Sequence, residues 1–207
     1  MTRVLVITGG IGSGKSEVCR ILAEEGFTAQ YDADSRAKAL YTAYPDLLDS
    51  IERSLGEGFR DGEGSFLPAR LAERIFSDKE ALNVVEQLLF PVLIRDFGKF
   101  AECSGMDAVV FESATVLEKA QFEGFGDKVV LVDAPFDMRL RRACARDGAS
   151  REAILARMRS QKLMNELSAG RKDPRVDYVI MNDSSFDVLR SRTLEMIKTL
   201  IEDKDEN

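Results

Sequence analysis

GGIGSGKS, residues Gly9–Ser16, decides the fold. It matches the pattern GxxxxGK[ST] through Gly9, Gly14, Lys15 and Ser16. Upstream, RVLVIT (Arg3–Thr8) is a short β-prone apolar run that reads as a buried parallel strand. Downstream, Val18, Ile21 and Leu22 fall at helical spacing between Lys15 and Glu25, and Gly26 supplies a stop signal. Strand, glycine turn and helix together make a phosphate loop. The glycines let the backbone wrap an anion with its N–H groups inward, and the helix offers its positive end. Lys15 is placed to reach the β- and γ-phosphates of a nucleotide, and Ser16 to hold Mg2+ through its hydroxyl.

Working outward, DAVVFE (Asp107–Glu112), KVVLVD (Lys128–Asp133) and DYVIM (Asp177–Met181) read as further strands, and Phe27–Tyr31 as a weaker one. Helical patterns cover Phe136–Arg146 and Arg151–Leu167. A last helix begins near Ser185, with Phe186, Leu189, Thr193, Ile197, Leu200 and Ile201 as its apolar face, and the tail EDKDEN is expected to fray. Strands alternating with helices predict an α/β fold, a parallel sheet flanked by helices. The interval between the second strand and Asp107 far exceeds a βαβ crossover. Its helical patterns are Pro45–Leu55, Pro68–Phe76 and Lys79–Cys103, the last broken or kinked at Pro91. They predict a helical insertion, and Gly56, Gly58, Gly62 and Gly64 mark a loop inside it.

Composition narrows the chemistry. The 207 residues contain no histidine, which excludes Ser-His-Asp triads, His-ligated zinc and imidazole bases. Cys19, Cys103 and Cys144 are isolated and form no disulfide framework. No apolar run approaches membrane-spanning length, and MTRVLVITGG lacks a signal-peptide layout, so a cytoplasmic protein without a membrane partner is expected. The net charge of −7 argues against nucleic acid as a partner. Yet Arg139 to Arg175 holds nine Arg and two Lys against two Asp and two Glu, so 11 − 4 = +7. An arginine-rich segment in an acidic chain points to a local anion site.

No guanine-reading NKxD occurs, and DGEG (Asp61–Gly64) has no strand before it, so a switch GTPase is not expected. Phe111-Glu112 only partly matches the Asp-Glu strand end of translocating ATPases. A small-molecule kinase fits better. Such an enzyme needs a carboxylate to accept the acceptor's hydroxyl proton. QYDADS (Gln30–Ser35) offers Asp32 and Asp34 just past the second strand, at the edge where open α/β sheets bind ligands. Asp34 is expected to be catalytic, and Asp32 structural or substrate-orienting; helix capping is the competing role for either. In FDMRLRRACARDG (Phe136–Gly148), Arg142 and Arg146 share a helical face with Arg139 one turn earlier, a face that could clamp a triphosphate or be merely solvated. Asn182 is a candidate base contact or a turn former.

These residues, in this order, resemble the dephospho-coenzyme A kinases. The resemblance runs through TGGIGSGKS (Thr8–Ser16), DAD (Asp32–Asp34), LAERIF (Leu71–Phe76), LLFPVLI (Leu88–Ile94), RACARDG (Arg142–Gly148), RMRSQ (Arg157–Gln161) and DYVIMND (Asp177–Asp183). It implies a nucleotide core (1–31, 107–138 and 176–207), a helical substrate domain (32–106) and a lid (139–175). It further implies Mg2+-dependent transfer of the ATP γ-phosphoryl group to the ribose 3′-hydroxyl of dephospho-CoA, the last step of coenzyme A biosynthesis. Separately, a monomer is expected. The implied catalytic residues are Asp34, Lys15, Arg142 and Arg146. The implied ATP site comprises Gly9, Ile11, Gly12, Ser13, Gly14, Lys15, Ser16, Glu17, Arg142, Arg146 and Asn182. The implied acceptor site comprises Asp32, Asp34, Lys38, Arg74, Phe76, Phe90, Pro91 and Glu118.

The sequence departs from the family pattern at Glu17 (usually Thr), Lys38 (Arg), Phe90 (His) and Ser113–Glu118 (Pro-Leu-Leu-x-Glu). Most of these positions lie on the acceptor side. Two alternatives therefore stand beside the resemblance: a kinase acting on a nucleoside monophosphate or another small alcohol, and a nucleotide-binding regulator without transferase activity.

Overall fold

The structure is a computed structural model that describes residues 2–202; positions 203–207 of the tail expected to fray lie outside the described residues. The described residues form two compact units, 2–31 with 104–202, and 32–103.

The first unit is built on a five-stranded parallel sheet ordered β2-β3-β1-β4-β5. Its strands are β1 (Arg3–Thr8), β2 (Gln30–Asp32), β3 (Ala108–Glu112), β4 (Lys128–Asp133) and β5 (Tyr178–Met181). β1 pairs in parallel with β3 and β4, and β4 with β5. Because strand side chains alternate faces, register decides what each residue meets. Leu5 is level with Val110, Ile7 with Glu112 and with Val130. Leu5, Ile7, Val110, Val130, Val132 and Ile180 form one apolar face. It is covered by Val18, Ile21 and Leu22 of α1 (Lys15–Glu24) and by Leu189, Met196 and Ile197 of α9 (Phe186–Ile197). On the reverse face Phe111 is fully buried, stacked on Tyr31 at 5.6 Å and edge-on to Phe125 at 4.6 Å. The arginine-rich segment folds as α6 (Phe136–Asp147), α7 (Arg151–Ser160) and α8 (Lys162–Ser168).

Four expectations are corrected. The strand expected at Phe27–Tyr31 is the three-residue β2, because Phe27 and Thr28 close a turn onto Leu22 and Gly26. Asp32 therefore ends the strand instead of lying beyond it. The single helix expected over Arg151–Leu167 is broken at Gln161, whose side chain is spent on another segment. Phe186, placed on the apolar face of the last helix, is exposed beneath the Arg20 guanidinium, and Met196 takes its place in the buried stripe.

The second unit holds α2 (Ala33–Ala43), α3 (Pro45–Leu55), α4 (Pro68–Ser77) and most of α5 (Lys79–Ser104). In the fourth correction, α5 is not broken at Pro91, one of the two outcomes expected there, but runs through it as one helix. Pro91 is exposed, so water can serve the carbonyl it leaves unpaired, while Leu89, Phe90, Leu93 and Phe97 stay packed. α2 buries only Ala33 and Leu40. A forked ion pair compensates: Arg36 donates from Nε and Nη2 to the buried Asp96 carboxylate on α5 at 2.7–3.0 Å.

Further along α2, Tyr41 packs against Phe66 at 5.2 Å, and burial, reinforced by Glu86, pushes its phenol from 10.0 up to about 12. A raised folded-state value means that stability is intact below pH 10 and lost as pH climbs through 10 to 12. Two pH units correspond to about 2.7 kcal/mol. Thermal melts across this window should fall more steeply for the wild type than for Tyr41→Phe; parallel curves would show that the phenol titrates alike in the folded and unfolded chain.

Candidate active site

The phosphate loop joins the carboxyl end of β1 to the start of α1. Its shape needs glycine at two positions in particular. Gly12 (φ 75°) and Gly14 (φ 100°) are left-handed, and a Cβ there would lie 2.2 Å from the Arg139 carbonyl oxygen and 2.1 Å from Asn182 Nδ2. The loop thus lies flush against α6 and against the turn after β5. Gly14 is the N-cap of α1, so the first N–H groups of that helix, which have no partner within it, open at the loop. Lys15 Nζ donates to the Gly9 carbonyl at 3.1 Å, which lays the ammonium over the loop.

Neighbouring side chains brace the loop from outside. Asn182 is buried, donating from Nδ2 to the Ser13 carbonyl at 2.8 Å and from its N–H to the Asp133 carbonyl at 2.6 Å. Arg142 donates to the Asn182 carbonyl and Oδ1, both at 3.2 Å. Arg142, Asn182 and Ser13 are therefore one contiguous group. Arg139 differs from its neighbours on α6. Expected on a clamp face, it is instead 1% exposed, turned inward, and donates from Nε to the Ile11 carbonyl. Burial depresses its guanidinium pKa, with nearby Asp133 opposing. Arg146 is exposed and bonded to Asp147 at 2.6 Å. Together with Arg157 it holds the Asp147 carboxyl below the usual range.

Ser16 Oγ donates to Glu112 Oε1 at 3.0 Å. Glu112 reaches it because its register with Ile7 puts it on the α1 face of β3. The pair suits Mg2+, which takes hard oxygen ligands and retains several from water and phosphate. Among the described residues no cluster of three or more acidic or sulfur ligands offers a closed cage instead.

On the acceptor side, the Asp32 carboxylate caps α2. Its Oδ1 accepts from the N–H groups of Asp34 and Ser35, and its Oδ2 from Ser35 Oγ. This places Asp34 in the exposed first turn of α2, where a carboxylate is favoured by the helix dipole. Lys38 and Phe76 are exposed, the latter 80% so. Arg74 is paired with Asp78 and Glu57, and Phe90 is buried beside the exposed Pro91. Glu118 accepts a long bond from the Met164 N–H at the start of α8.

A model of the dephospho-CoA kinase family matches residues 3–187. The chain belongs to the dephospho-CoA kinase family. Membership bears out the resemblance read from the sequence. A dephospho-CoA kinase of Porphyromonas gingivalis is 39% identical over 168 residues, 81% of each chain. The crystal structure of TT1252 from Thermus thermophilus superposes with a TM-score of 0.81 at 30% identity, covering 97% of this chain and 98% of the other. A dephospho-CoA kinase from Campylobacter jejuni shares the fold at a TM-score of 0.64 and 24% identity, over 98% and 99% of the two chains.

In this dephospho-CoA kinase family member, sequence reasoning missed the contact of Glu112 with Ser16 and those of Arg139 and Gln161 with Ile11. Glu112 carried a usable signal. It has the parity of Val110 on the same strand, hence the face of α1. Arg139 carried none, since it sits in a run of arginines that otherwise reads as surface.

Proposed function

We propose that this chain transfers the γ-phosphoryl group of ATP to the ribose 3′-hydroxyl of dephospho-CoA. The family match over residues 3–187, which spans the phosphate loop, the DAD turn and the last strand, is the observation that carries the reading. The loop residues Gly9–Ser16, with Glu17 at the first turn of α1, bind the nucleotide phosphates. Lys15 neutralises the β- and γ-phosphates, and Arg142 and Arg146 take up charge that spreads over the transferred group. For Arg146 this requires exchanging Asp147 for phosphate. Asn182 supports the nucleotide site by holding Ser13. Ser16 and Glu112 would hold Mg2+, which screens the phosphate charge when bound. Asp34 accepts the 3′-hydroxyl proton while Asp32 fixes the turn that presents it.

The helical segment 32–106 is the acceptor-binding part, and 139–175 is a lid whose closure excludes water. Lys38 and Phe76 contact the acceptor, with Arg74, Phe90, Pro91 and Glu118 shaping its surroundings. Among the described residues no helix is long and apolar enough to cross a membrane. A cytoplasmic monomer that binds neither membrane nor nucleic acid completes the proposal.

ADP release from ATP and Mg2+ tests it, with dephospho-CoA, AMP or no acceptor. Strong stimulation by dephospho-CoA alone is expected. Stimulation by AMP would make the protein a nucleotide kinase, and ATP binding without any stimulation would make it a regulator. The metal pair has its own test. Glu112→Gln should raise the Mg2+ concentration for half-maximal activity about tenfold, since a formal charge beside the ion is lost. An unchanged Mg2+ titration would remove Glu112 from the metal site.

A further inference from the structure

The phosphate loop cannot set its own shape. Gly9, Gly12 and Gly14 all have positive φ (150°, 75° and 100°), and glycine backbone is the least restricted of all. Within the loop, Ser13 N–H donates to the Gly10 carbonyl. Lys15 and Asn182 hold its two ends at the Gly9 and Ser13 carbonyls, and two side chains of the arginine-rich segment hold the residue between them. Ile11 N–H donates to Gln161 Oε1 at 2.8 Å, and the Ile11 carbonyl accepts from Arg139 Nε at 3.1 Å. The two peptide units flanking Ile11 are therefore gripped from one side.

Both grips are themselves anchored. Gln161 is 6% exposed and forms the corner between α7 and α8. Its N–H donates to the Met158 carbonyl and its own carbonyl accepts from Asn165 N–H, while the Asn165 side chain also reaches Met158. Arg139 Nη1 donates to Ser168 Oγ, which donates in turn to Asp133 Oδ1 at 2.7 Å. Arg139 Nη2 is buried with no hydrogen-bond partner among the described residues, against Gly10: a Cβ there would stand 1.9 Å from it. A buried, incompletely satisfied guanidinium is costly. Such a cost is compatible with a fixed geometry being required at this point of the loop.

We infer that Gln161 and Arg139 are positioning residues that hold the phosphate loop in its ATP-binding shape through the Ile11 peptide groups. The inference rests on the reading that Gly9–Ser16 binds ATP. Because the grips come from α6 and from the α7–α8 corner, loop geometry is tied to the segment that carries Arg142 and Arg146. Ile11 N–H is committed to Gln161 and Ser13 N–H to the Gly10 carbonyl, so the phosphate-facing donors are others of the loop and of the first turn of α1.

The test is Gln161→Met, similar in length but without an acceptor, beside Gln161→Asn, polar but one methylene short of Ile11. Leaving a half-buried N–H without its partner should raise the KM and the Kd for ATP about tenfold in both variants. The KM for dephospho-CoA should stay within about twofold, because the grip acts on the nucleotide side. A merely structural role predicts the opposite split, a lower melting temperature and lower kcat with the ATP KM unmoved. That outcome overturns the inference, as does an ATP Kd equal to the wild type's in both variants. Wild-type ATP binding is measured first. Its absence would fail the kinase reading, whereas wild-type binding matched by the variants would fail this inference alone.

Discussion

Asp34→Asn should lower kcat by about 10²–10⁴-fold, the range that general-base catalysis contributes, and leave the Kd for ATP within about twofold. The amide is isosteric with the carboxylate and can still accept a hydrogen bond, but it cannot take the proton from the 3′-hydroxyl. The fold should barely notice. Asp34 is exposed, and its N–H, not its side chain, is what the Asp32 cap holds. The lost charge at the start of α2 is worth about 0.3–1 kcal/mol through the helix dipole. Phosphoryl transfer has a loose transition state, so orienting the hydroxyl counts alongside removing its proton. Asp34→Ala, which abolishes both, should therefore be the slower of the two variants. Asp32→Ala makes the contrast: it removes a cap, costs about 1 kcal/mol of stability, and acts on kcat only indirectly. Steady-state turnover with saturating ATP and dephospho-CoA decides it. A kcat for Asp34→Asn within about tenfold of wild type would mean that another group, or solvent, takes the proton.

How far such a site can be read from sequence depends on whether its signal is local. Gly9–Ser16 is local: strand, glycines, lysine and helix follow one another, and the structure reproduces them in order. β3, β4 and β5 were legible because apolar runs of strand length stand between turn residues, and they agree with the sequence to within one residue. β2 was not, since it is only three residues long and owes its place to pairing across the sheet. The break at Gln161 carries no glycine or proline. Only the hydrogen bond to Ile11, 150 positions away, explains it. Arg139 shows the same limit from the other direction. Three arginines at helical spacing look alike, and which one is buried depends on where the glycine loop packs. The capping role of Asp32 was among the alternatives its position allowed, but choosing among them took the N–H groups of Asp34 and Ser35.

Lys15→Met should cut kcat/KM for ATP by about 10²–10³-fold, the cost of deleting one preorganised charged donor from a transition state. Lys15 follows the N-cap Gly14 directly, and its ammonium lies on the Gly9 carbonyl at the far end of the same loop. That bond keeps the charge over the loop mouth before ATP arrives, so little reorganisation is needed when the β- and γ-phosphates come in. Methionine has a similar reach and keeps the apolar stem, so the substitution removes charge and a donor rather than packing. The Gly9 carbonyl loses a charged partner. Water can replace it at this half-buried site, so the melting temperature should fall by only a few degrees, consistent with a net bond worth about 1.5–3 kcal/mol. The KM for dephospho-CoA should hardly move. Lys15→Arg should rescue only part of the loss, because a planar fork cannot occupy the place of a compact ammonium. If Lys15 served only to tie down Gly9, the melting temperature would fall and the fraction of active protein with it, while the surviving molecules kept wild-type kcat and ATP affinity. Active-site titration alongside the kinetics separates these outcomes.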